Sequence, residues 1–398
     1  MSNMFDLIDD WGPEKIVVVS DQKTRMRGVL VIDNTARGMG KGGTRMQPTV
    51  SVDEIARLAR VMTWKWAGVD LFYGGAKAGI QADPDSPDKE AILRSFVRKL
   101  SNEVPREYVF GLDMGLTEND AAIIVDELGW GTSMGTPHEL GGVAYDKLGI
   151  TGFGVAEVVD EAAQLQNLQG TDVAIQGFGA VGHATASRLV ELGYNVVAIS
   201  TAKGAIADPN GLNIAELLKL RDQVGDCLVD HFPTKRIDTG SELFTSAEIL
   251  VPAALQDVIN ADEAHKIRAQ LVVEGANLPT DERAQHILRD RGITMVPDFV
   301  ANAGGVVAAA FAMDNRMSAF RADTDAIFTS VSEKLRSNAS TVLQHTKKTG
   351  MTSHDAARQL SQERVLAAMQ ARGMRPRELP ESLSMPTATL SPIPVGTR

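Results

Sequence analysis

The sequence predicts an α/β fold in two domains with a cleft between them, one domain being doubly wound around a parallel sheet. From residue 172 onward, short apolar segments alternate with helical segments, which is typical of βαβ units. One apolar segment runs directly into a glycine-rich turn at residues 177–182 that opens a helix. The chain has 398 residues, which is long enough for two domains.

The first part of the chain combines short strands with amphipathic helices. Residues 16–20 and 29–34 are β-branched segments that predict strands. Ser51 followed by Glu54 matches a capping box at the start of a helix over 53–66, and Lys65 near its end suits the helix dipole. The other elements predicted here are a helix over 88–104, a strand over 108–113 and a helix over 118–128.

The second part of the chain alternates more regularly. A helix over 152–166 precedes a buried strand over 172–176, a helix that ends at 192 and a strand over 195–200. Further strand ends are predicted at 250–253, 271–277 and 293–297. From about residue 324 the chain is helical and polar, through residue 361 to residue 371. Residues 376–398 contain five prolines and many serines and threonines, which predicts a disordered tail.

Composition excludes several classes of protein. The net charge of −11 argues against a nucleic-acid partner, which would favour a basic face. Cys227 is the one cysteine, so neither an internal disulfide nor a cysteine-rich metal site is possible, and the histidines show no spacing typical of metal ligands. No apolar run is long enough to span a membrane, and the N-terminus lacks the pattern of a signal peptide. We therefore expect a cytoplasmic protein with no metal and no membrane partner.

The glycine-rich turn predicts a Rossmann-type dinucleotide-binding domain. In such a turn the first glycine permits the tight bend, the second lets the pyrophosphate approach, and the third lets helix and strand pack closely. The strand before the turn and the helix after it supply the required context. The predicted cofactor-binding residues of the turn are Gly177, Phe178, Gly179, Ala180, Val181 and Gly182.

The end of the next strand bears on the choice between NAD and NADP. An NAD site usually places an aspartate or glutamate there, against the ribose hydroxyls. This chain has Ser200 and Thr201 at that point, with Lys203 close by. Thr201 could serve either cofactor, whereas Lys203 could meet a 2′-phosphate. NAD or NADP is expected, with a weak preference for NADP.

Three lysines in apolar, glycine-rich surroundings predict a cleft that binds carboxylates. They are Lys41, Lys65 and Lys77, and the last has glycines on both sides that leave space around its ammonium. A lysine that is partly desolvated and close to other cations has a lowered pKa and can act as a base. Carboxylate-binding lysines together with a nicotinamide site indicate an amino-acid or 2-oxo-acid dehydrogenase.

Eight motifs then occur in an order that resembles the glutamate/leucine/phenylalanine/valine dehydrogenase family, most closely its glutamate dehydrogenases. They cover about two-thirds of the chain, from Lys41 to Val306. They are Lys-Gly-Gly-Thr-Arg (41–45), Thr-x-Lys (63–65), Gly-Gly-Ala-Lys-Ala-Gly (74–79), Leu-Asp-Met-Gly (112–115), Thr-Gly-Phe-Gly (151–154), Gln-Gly-Phe-Gly-Ala-Val-Gly (176–182), Glu-Gly-Ala-Asn (274–277) and Asn-Ala-Gly-Gly-Val (302–306).

The resemblance implies reversible oxidative deamination of an L-amino acid with NAD or NADP, and it implies roles for individual residues. Lys77 would be the catalytic lysine that activates water, and Asp113 would carry protons to and from the amino group. Lys65 would bind the substrate α-carboxylate. Three further residues match positions in the cleft: Thr151 near substrate and cofactor, and Asn277 and Asn302 beside the nicotinamide ribose and ring.

Lys41 favours glutamate as the substrate. In the glutamate-specific branch a lysine before this Gly-Gly pairs with the side-chain carboxylate, and an unpaired buried charge would be costly in an apolar pocket. Ala309 stands where those enzymes usually have a serine that binds the same carboxylate, and Val306 adds a second apolar position to the pocket wall. The substrate could therefore be an aliphatic or less usual amino acid.

Two other classes of function stay open beside the dehydrogenase. A catalytically silent regulatory paralogue could keep the fold, although Lys65, Lys77 and Asp113 are all present. A 2-hydroxy-acid dehydrogenase would need a histidine–acid pair with an arginine, and no convincing histidine is found.

The resemblance also implies the division of the chain and its assembly. Residues 1–148 would form a substrate-binding and oligomerisation domain, and residues 149–321 the Rossmann domain. Helices within 322–375 would return to the first domain, so that the chain crosses the cleft twice. A homo-oligomer is expected, with a hexamer favoured.

Overall fold

Two mixed sheets covered by helices form the protein. The structure, a computed structural model, describes residues 4–143 and 148–374. The predicted tail at 376–398 lies outside the described residues. Among the residues described, no helix is both long and apolar enough to cross a membrane.

The first sheet belongs to the N-terminal part of the chain. It runs in the order β1-β2-β5-β3-β6, and β4 pairs with β5 beside β3. β1, β2 and β5 are antiparallel neighbours, whereas β3 and β4 run parallel to β5. The elements of this part are β1 (Lys15–Asp21), β2 (Met26–Asn34), β3 (Gly40–Lys41), β4 (Thr44–Met46), α1 (Val52–Gly68), β5 (Gly74–Ile80), α2 (Lys89–Lys99), β6 (Tyr108–Val109) and α3 (Glu118–Leu128).

The second sheet is the doubly wound one, as predicted. Its order is β10-β9-β8-β7-β11-β12-β13, and the strands from β8 to β13 through β7 are parallel. The strands are β7 (Asp172–Gln176), β8 (Asn195–Thr201), β9 (Gly204–Ala207), β10 (Lys235–Ile237), β11 (Ile249–Pro252), β12 (Leu271–Val273) and β13 (Thr294–Val296). The helices are α4 (Ile150–Leu165), α5 (Ala180–Glu191), α6 (Ile214–Val224), α7 (Leu228–His231), α8 (Ala261–Lys266), α9 (Glu282–Asp290), α10 (Asp298–Ala301) and α11 (Gly304–Asn315).

Two long helices follow, α12 (Thr324–Thr349) and α13 (Ser353–Ala371). α12 packs against α4 and α11, whereas α13 packs against α1 and β13. Arg364 of α13 donates to the last carbonyl oxygens of α1, at Ala67 and Gly68, over 2.8 Å each. The C-terminal helices thus contact helices from both parts of the chain. The domain boundaries at 148/149 and 321/322 stay a prediction.

Two predicted elements of the first part differ from the structure. The helix predicted over 88–104 ends at Lys99 and is followed by turns over 100–107, where Pro105 disfavours a helical conformation at Val104. The strand predicted over 108–113 is regular only at Tyr108 and Val109, since its neighbour β3 is equally short. Beyond that point the chain is held by single bridges, such as Thr44 with Leu112.

Two further corrections concern helix starts. Ser51 caps α1 as predicted, since its Oγ accepts from the Glu54 backbone at 3.2 Å. The Glu54 carboxylate does not complete the capping box, because it pairs with Arg45 at 2.6 Å instead. The helical region predicted from about residue 324 through 361 to 371 is not continuous: its second helix starts at Ser353, where Thr352 accepts from the Asp355 backbone.

Candidate active site

Lys77 and Asp113 form the centre of the candidate site. Lys77 lies on β5, in the middle of the first sheet, and only 7% of it is exposed. Its Nζ lies 2.8 Å from Asp113 Oδ2, in the loop that follows β6. Arg45 of β4 donates to the same oxygen at 3.1 Å. The structure therefore brings the two predicted catalytic residues into direct contact and adds an arginine that the sequence did not single out.

The electrostatics of this pair are set by burial and by mutual attraction. Burial lowers the pKa of Lys77, and Asp113 opposes that effect. Burial acts on Asp113 in the raising direction, but Lys77 and Arg45 outweigh it and hold its pKa below the usual value. Asp113 is consequently an ionised carboxylate beside a lysine whose proton is held less tightly than in water, which is an arrangement suited to proton transfer.

Lys65 connects the first sheet's side of the site with the second. It lies in the last turn of α1, and burial lowers its pKa against the opposing effect of Asp298. Its Nζ lies 3.4 Å from Asn277 Oδ1, in the loop after β12. Asn302, at the end of α10, donates to that same oxygen at 3.0 Å. The structure thus places Lys65, Asn277 and Asn302 together, where the end of α1 meets the loops after β12 and α10.

Lys41 is buried, with 2% of it exposed, at the end of β3. Its ammonium donates to the carbonyl oxygens of Val109 at 2.8 Å and Gly42 at 3.3 Å. Among the described residues no carboxylate lies within ion-pair distance of it. Burial, followed by Lys77 and Arg316, lowers the pKa of Lys41 to about 7. The site therefore contains a buried cation that lacks an anionic partner.

The remaining predicted substrate residues lie on α4 and α11. Thr151 lies in the first turn of α4, and a Cβ at Gly305 would meet its Oγ1 at 3.3 Å. Val306 is half-buried in the core of the second sheet. Ala309 packs in a different apolar cluster, with Val109 and Met134, on the side where Lys41 donates to Val109. Of these three residues, Ala309 is thus the one that packs with Val109, the residue whose carbonyl oxygen accepts from Lys41.

The glycine-rich turn has the geometry that a dinucleotide site requires. Gly177 has a φ of +90°, which a residue with a side chain rarely adopts. A Cβ at Gly179 would meet nothing within 4 Å, so this glycine faces open space at the start of α5. A Cβ at Gly182 would lie 1.8 Å from the Gly177 carbonyl oxygen. The three glycines therefore provide the bend, the open approach to a helix N-terminus, and the close helix–strand contact.

The other predicted cofactor-binding residues differ in which of their groups are available to a ligand. The Phe178 side chain is buried in the core, so that its backbone is the part available to a ligand. Ala180 and Val181 form the first turn of α5, whose N–H groups point towards the opening. The Thr201 hydroxyl donates to the Asp226 carbonyl oxygen at 2.8 Å. Lys203, in the turn after β8, is exposed.

Several charged groups around the site were missed at the sequence level. Arg45 lies within the motif at 41–45, but the resemblance implied no role for it. Arg316, at the end of α11, acts electrostatically on Lys41 and lies outside every motif. Glu274, Asp298 and His354 form a buried cluster of the residue types that also bind metals. Glu274 is the first residue of the motif at 274–277, and Asp298 lies four residues before the motif at 302–306, whereas no signal in the sequence distinguishes His354 from an ordinary helix residue.

Comparison with known proteins agrees with this geometry. Residues 141–373 match the family described as Glutamate/Leucine/Phenylalanine/Valine dehydrogenase, and residues 13–129 match the dimerisation domain of the Glu/Leu/Phe/Val dehydrogenases. The NADP-specific glutamate dehydrogenase of Saccharolobus shibatae is 33% identical over 91% of this chain and 90% of its own. The NAD-specific glutamate dehydrogenase of Staphylococcus aureus (strain COL) is 40% identical over 70% of each chain.

A solved structure supports the same relationship. The hetero-hexameric glutamate dehydrogenase of Thermus thermophilus, in its Leu-bound form, superposes with a TM-score of 0.76 and 30% identity, covering 92% of this chain and 91% of that one. With a family match over more than half of the chain and relatives above 30% identity over most of it, the chain belongs to the glutamate/leucine/phenylalanine/valine dehydrogenase family.

Proposed function

We propose that this protein catalyses the reversible, NAD(P)-dependent oxidative deamination of L-glutamate. Glutamate, water and the oxidised cofactor would give 2-oxoglutarate, ammonium, the reduced cofactor and a proton. The observation that carries the proposal is the contact between Lys77 and Asp113 at 2.8 Å, near Lys65, which acts on Lys77 and contacts Asn277. The cofactor, when bound, accepts the hydride from the α-carbon.

The residues of the cleft divide the remaining work. Lys65 would hold the α-carboxylate so that the α-hydrogen faces the cofactor, an effect of orientation that can lower a barrier substantially. Asp113, kept ionised by Lys77 and Arg45, would take a proton from the substrate ammonium. Lys77, with its lowered pKa, would take a proton from the attacking water and return it to the leaving amine.

Lys41 supports glutamate as the substrate. A buried ammonium without an anionic partner is costly, and a side-chain carboxylate would remove that cost. Arg316, which acts electrostatically on Lys41, adds positive potential to the same region. A dicarboxylic amino acid therefore fits this end of the cleft better than a neutral one.

The apolar cluster beside Lys41 favours a second candidate substrate. Ala309, Met134, Ala312 and Met313 pack together there, and Ala309 offers no hydroxyl to a carboxylate. An aliphatic amino acid such as leucine could lie against this surface if Lys41 kept its ammonium on the carbonyl oxygen of Val109.

A panel of L-amino acids with NAD⁺ and with NADP⁺ tests the proposal. Formation of the reduced cofactor is followed by absorbance, and we expect the largest kcat/KM with glutamate. A larger kcat/KM with leucine would replace glutamate by the second candidate. Absence of turnover with every amino acid in both directions would contradict the dehydrogenase itself.

NADP is the cofactor we favour, on the position of Lys203. Lys203 is exposed in the turn after β8, where the ribose of a dinucleotide is expected. A 2′-phosphate there would form an ionic interaction with its ammonium. Lys203→Glu should raise the KM for NADP⁺ about tenfold and leave that for NAD⁺ nearly unchanged. Lys347→Glu, at an exposed position near the end of α12, controls for the added negative charge. An equal effect on both cofactors would contradict the assignment.

A homo-hexamer in the cytoplasm completes the proposal. The match of residues 13–129 to a dimerisation domain and the hexameric relative from Thermus thermophilus support an oligomer. The single cysteine fits a reducing compartment. Sedimentation equilibrium should give six subunits, and a monomer would contradict this part of the proposal.

A further inference from the structure

Three buried ionisable side chains lie behind the loop that carries Asn277. They are Glu274 at the end of β12, Asp298 at the start of α10 and His354 in the first turn of α13, exposed by 0%, 4% and 6%. His354 Nε2 lies 2.8 Å from Glu274 Oε2. The proposed chemistry uses none of these three residues.

Hydrogen bonds connect the cluster to both ends of the Asn277 loop. Glu274 Oε2 accepts from the Asp298 backbone at 2.9 Å. Asp298 Oδ2 in turn accepts from the Leu278 backbone at 2.9 Å. Between those anchors lies Asn277, whose Oδ1 accepts from Lys65. A change in the cluster can therefore reach Lys65 both through this loop and through space.

The contacts within the cluster form an ion-pair network. Glu274 and His354 are in direct hydrogen-bond contact, and both Asp298 oxygens accept backbone N–H groups, from Leu278 and Phe299. Glu274 Oε1 has no hydrogen-bond partner among the described residues. A nearby cation stabilises a buried carboxylate that has one unpartnered oxygen, and His354 is the ionisable group in contact with Glu274.

The charged groups around His354 come from several elements. Glu274 and Asp298 face it from the second sheet, and Arg358 lies one turn further along α13. Lys65 of α1 acts on Asp298 from the opposite side. On the α12 side, Asn338, which carries no charge, accepts a hydrogen bond from Arg364 of α13. With His354 protonated, the positive charges of His354 and Lys65 balance the negative charges of the two carboxylates. With His354 neutral, Lys65 alone faces two carboxylates.

We propose that protonated His354 is a positioning residue for the substrate site: it neutralises Glu274 and so leaves Lys65 available to a substrate carboxylate. The inference rests on the proposed role of Lys65. When His354 loses its proton, the buried carboxylates draw the Lys65 ammonium away and compete with the substrate for it. Carboxylate binding, more than the chemical step, then weakens as pH rises.

The balance of forces on the imidazole agrees with this role. Burial acts to lower the pKa of His354, but Glu274 and Asp298 outweigh it and raise the pKa above the ordinary 6.5. Burial and the neighbouring Glu274 raise the pKa of Asp298, against the effect of Lys65. Since the histidine pKa is raised, its charge is present at and below neutral pH and is lost above it.

Calorimetric titration of a carboxylate without an amine tests the inference separately from turnover. Glutarate is the probe, with 4-methylpentanoate beside it in case the substrate side chain is apolar, and the protein is saturated with reduced cofactor. His354→Gln should raise the Kd about tenfold at about pH 6, and the ratio to wild type should approach one by about pH 9. In enzymes that turn over, kcat should change much less than KM.

The Glu274→Gln variant supplies the decisive control. The double variant His354→Gln/Glu274→Gln carries the same charge as wild type with protonated His354, so it should restore the wild-type Kd at low pH. Should His354→Gln not fold, Glu274→Gln alone should reduce the pH dependence of binding seen in wild type to the part that Lys41 contributes. A Kd ratio independent of pH, an unrescued double variant, a wild type that binds neither carboxylate, or a stoichiometric metal ion lost together with carboxylate binding on chelation would each overturn the inference. Failure of the amino-acid panel, in contrast, would count against the proposed reaction.

Discussion

Replacing Lys77 by alanine is expected to lower kcat by ~10²-fold or more, while the Kd of the cofactor stays nearly unchanged. The lysine is buried on β5 and touches Asp113, so the variant removes a group that both donates and accepts protons at the reacting centre. Steady-state kinetics with glutamate, together with fluorescence titration of the reduced cofactor, separates the two effects. Asp113→Asn should behave similarly, since an amide keeps the shape but cannot carry the proton.

Two matched variants show whether proton transfer is the cause. Lys77→Arg keeps the positive charge but holds its proton too tightly, so it should remain as inactive as the alanine variant. Lys15→Ala removes an ion-paired lysine from β1 of the same sheet, 3.0 Å from Glu103, and should leave kcat unchanged. Turnover close to wild type in Lys77→Ala or Asp113→Asn would contradict the assignment of these residues.

Lys41→Leu is expected to lower kcat/KM for glutamate about 10²-fold, corresponding to roughly 3 kcal/mol, and to raise the relative preference for leucine. The variant removes the buried ammonium that would pair with the side-chain carboxylate, and it leaves an apolar side chain against the cluster around Ala309. Competition between the two amino acids, measured at fixed cofactor, reports the change. An unchanged preference would place Lys41 outside the substrate pocket.

The pH dependence gives an independent check on Lys41. Burial, Lys77 and Arg316 lower its pKa to about 7, and only the protonated form attracts a carboxylate. The effect of Lys41→Leu on the KM for glutamate should therefore be largest below about pH 7 and shrink as pH rises. Ala309→Ser should act in the opposite direction and tighten glutamate binding, because a hydroxyl would supply a second hydrogen bond to the carboxylate.

Local sequence patterns predicted much of the fold. Glu118–Leu128 and Asp172–Gln176 agree with the predicted helix and strand to the residue. Each is bounded by residues that act locally: Thr117 caps the helix, and the glycine-rich turn ends the strand. Where the signal depended on a distant partner, prediction was poorer. Glu54 pairs with Arg45 and not with its own helix start, and the segment after Val109 lacks a long neighbouring strand.

The sequence by itself determined the α/β class, the dinucleotide turn and the family. These follow from periodicity, from glycines at turns that need unusual backbone angles, and from the order of short motifs, all of which can be recognised along the chain without knowing which residues meet in space.

Only the tertiary structure decided which charges meet. Lys77 contacts Asp113, Lys65 reaches Asn277, and His354 from the last helix joins Glu274 across a sequence separation of 80 residues. Whether a lysine is a base, a carboxylate anchor or a surface charge depends on burial and on the sign of its neighbours, because both change its pKa. Neither quantity is contained in the spacing of residues along the chain.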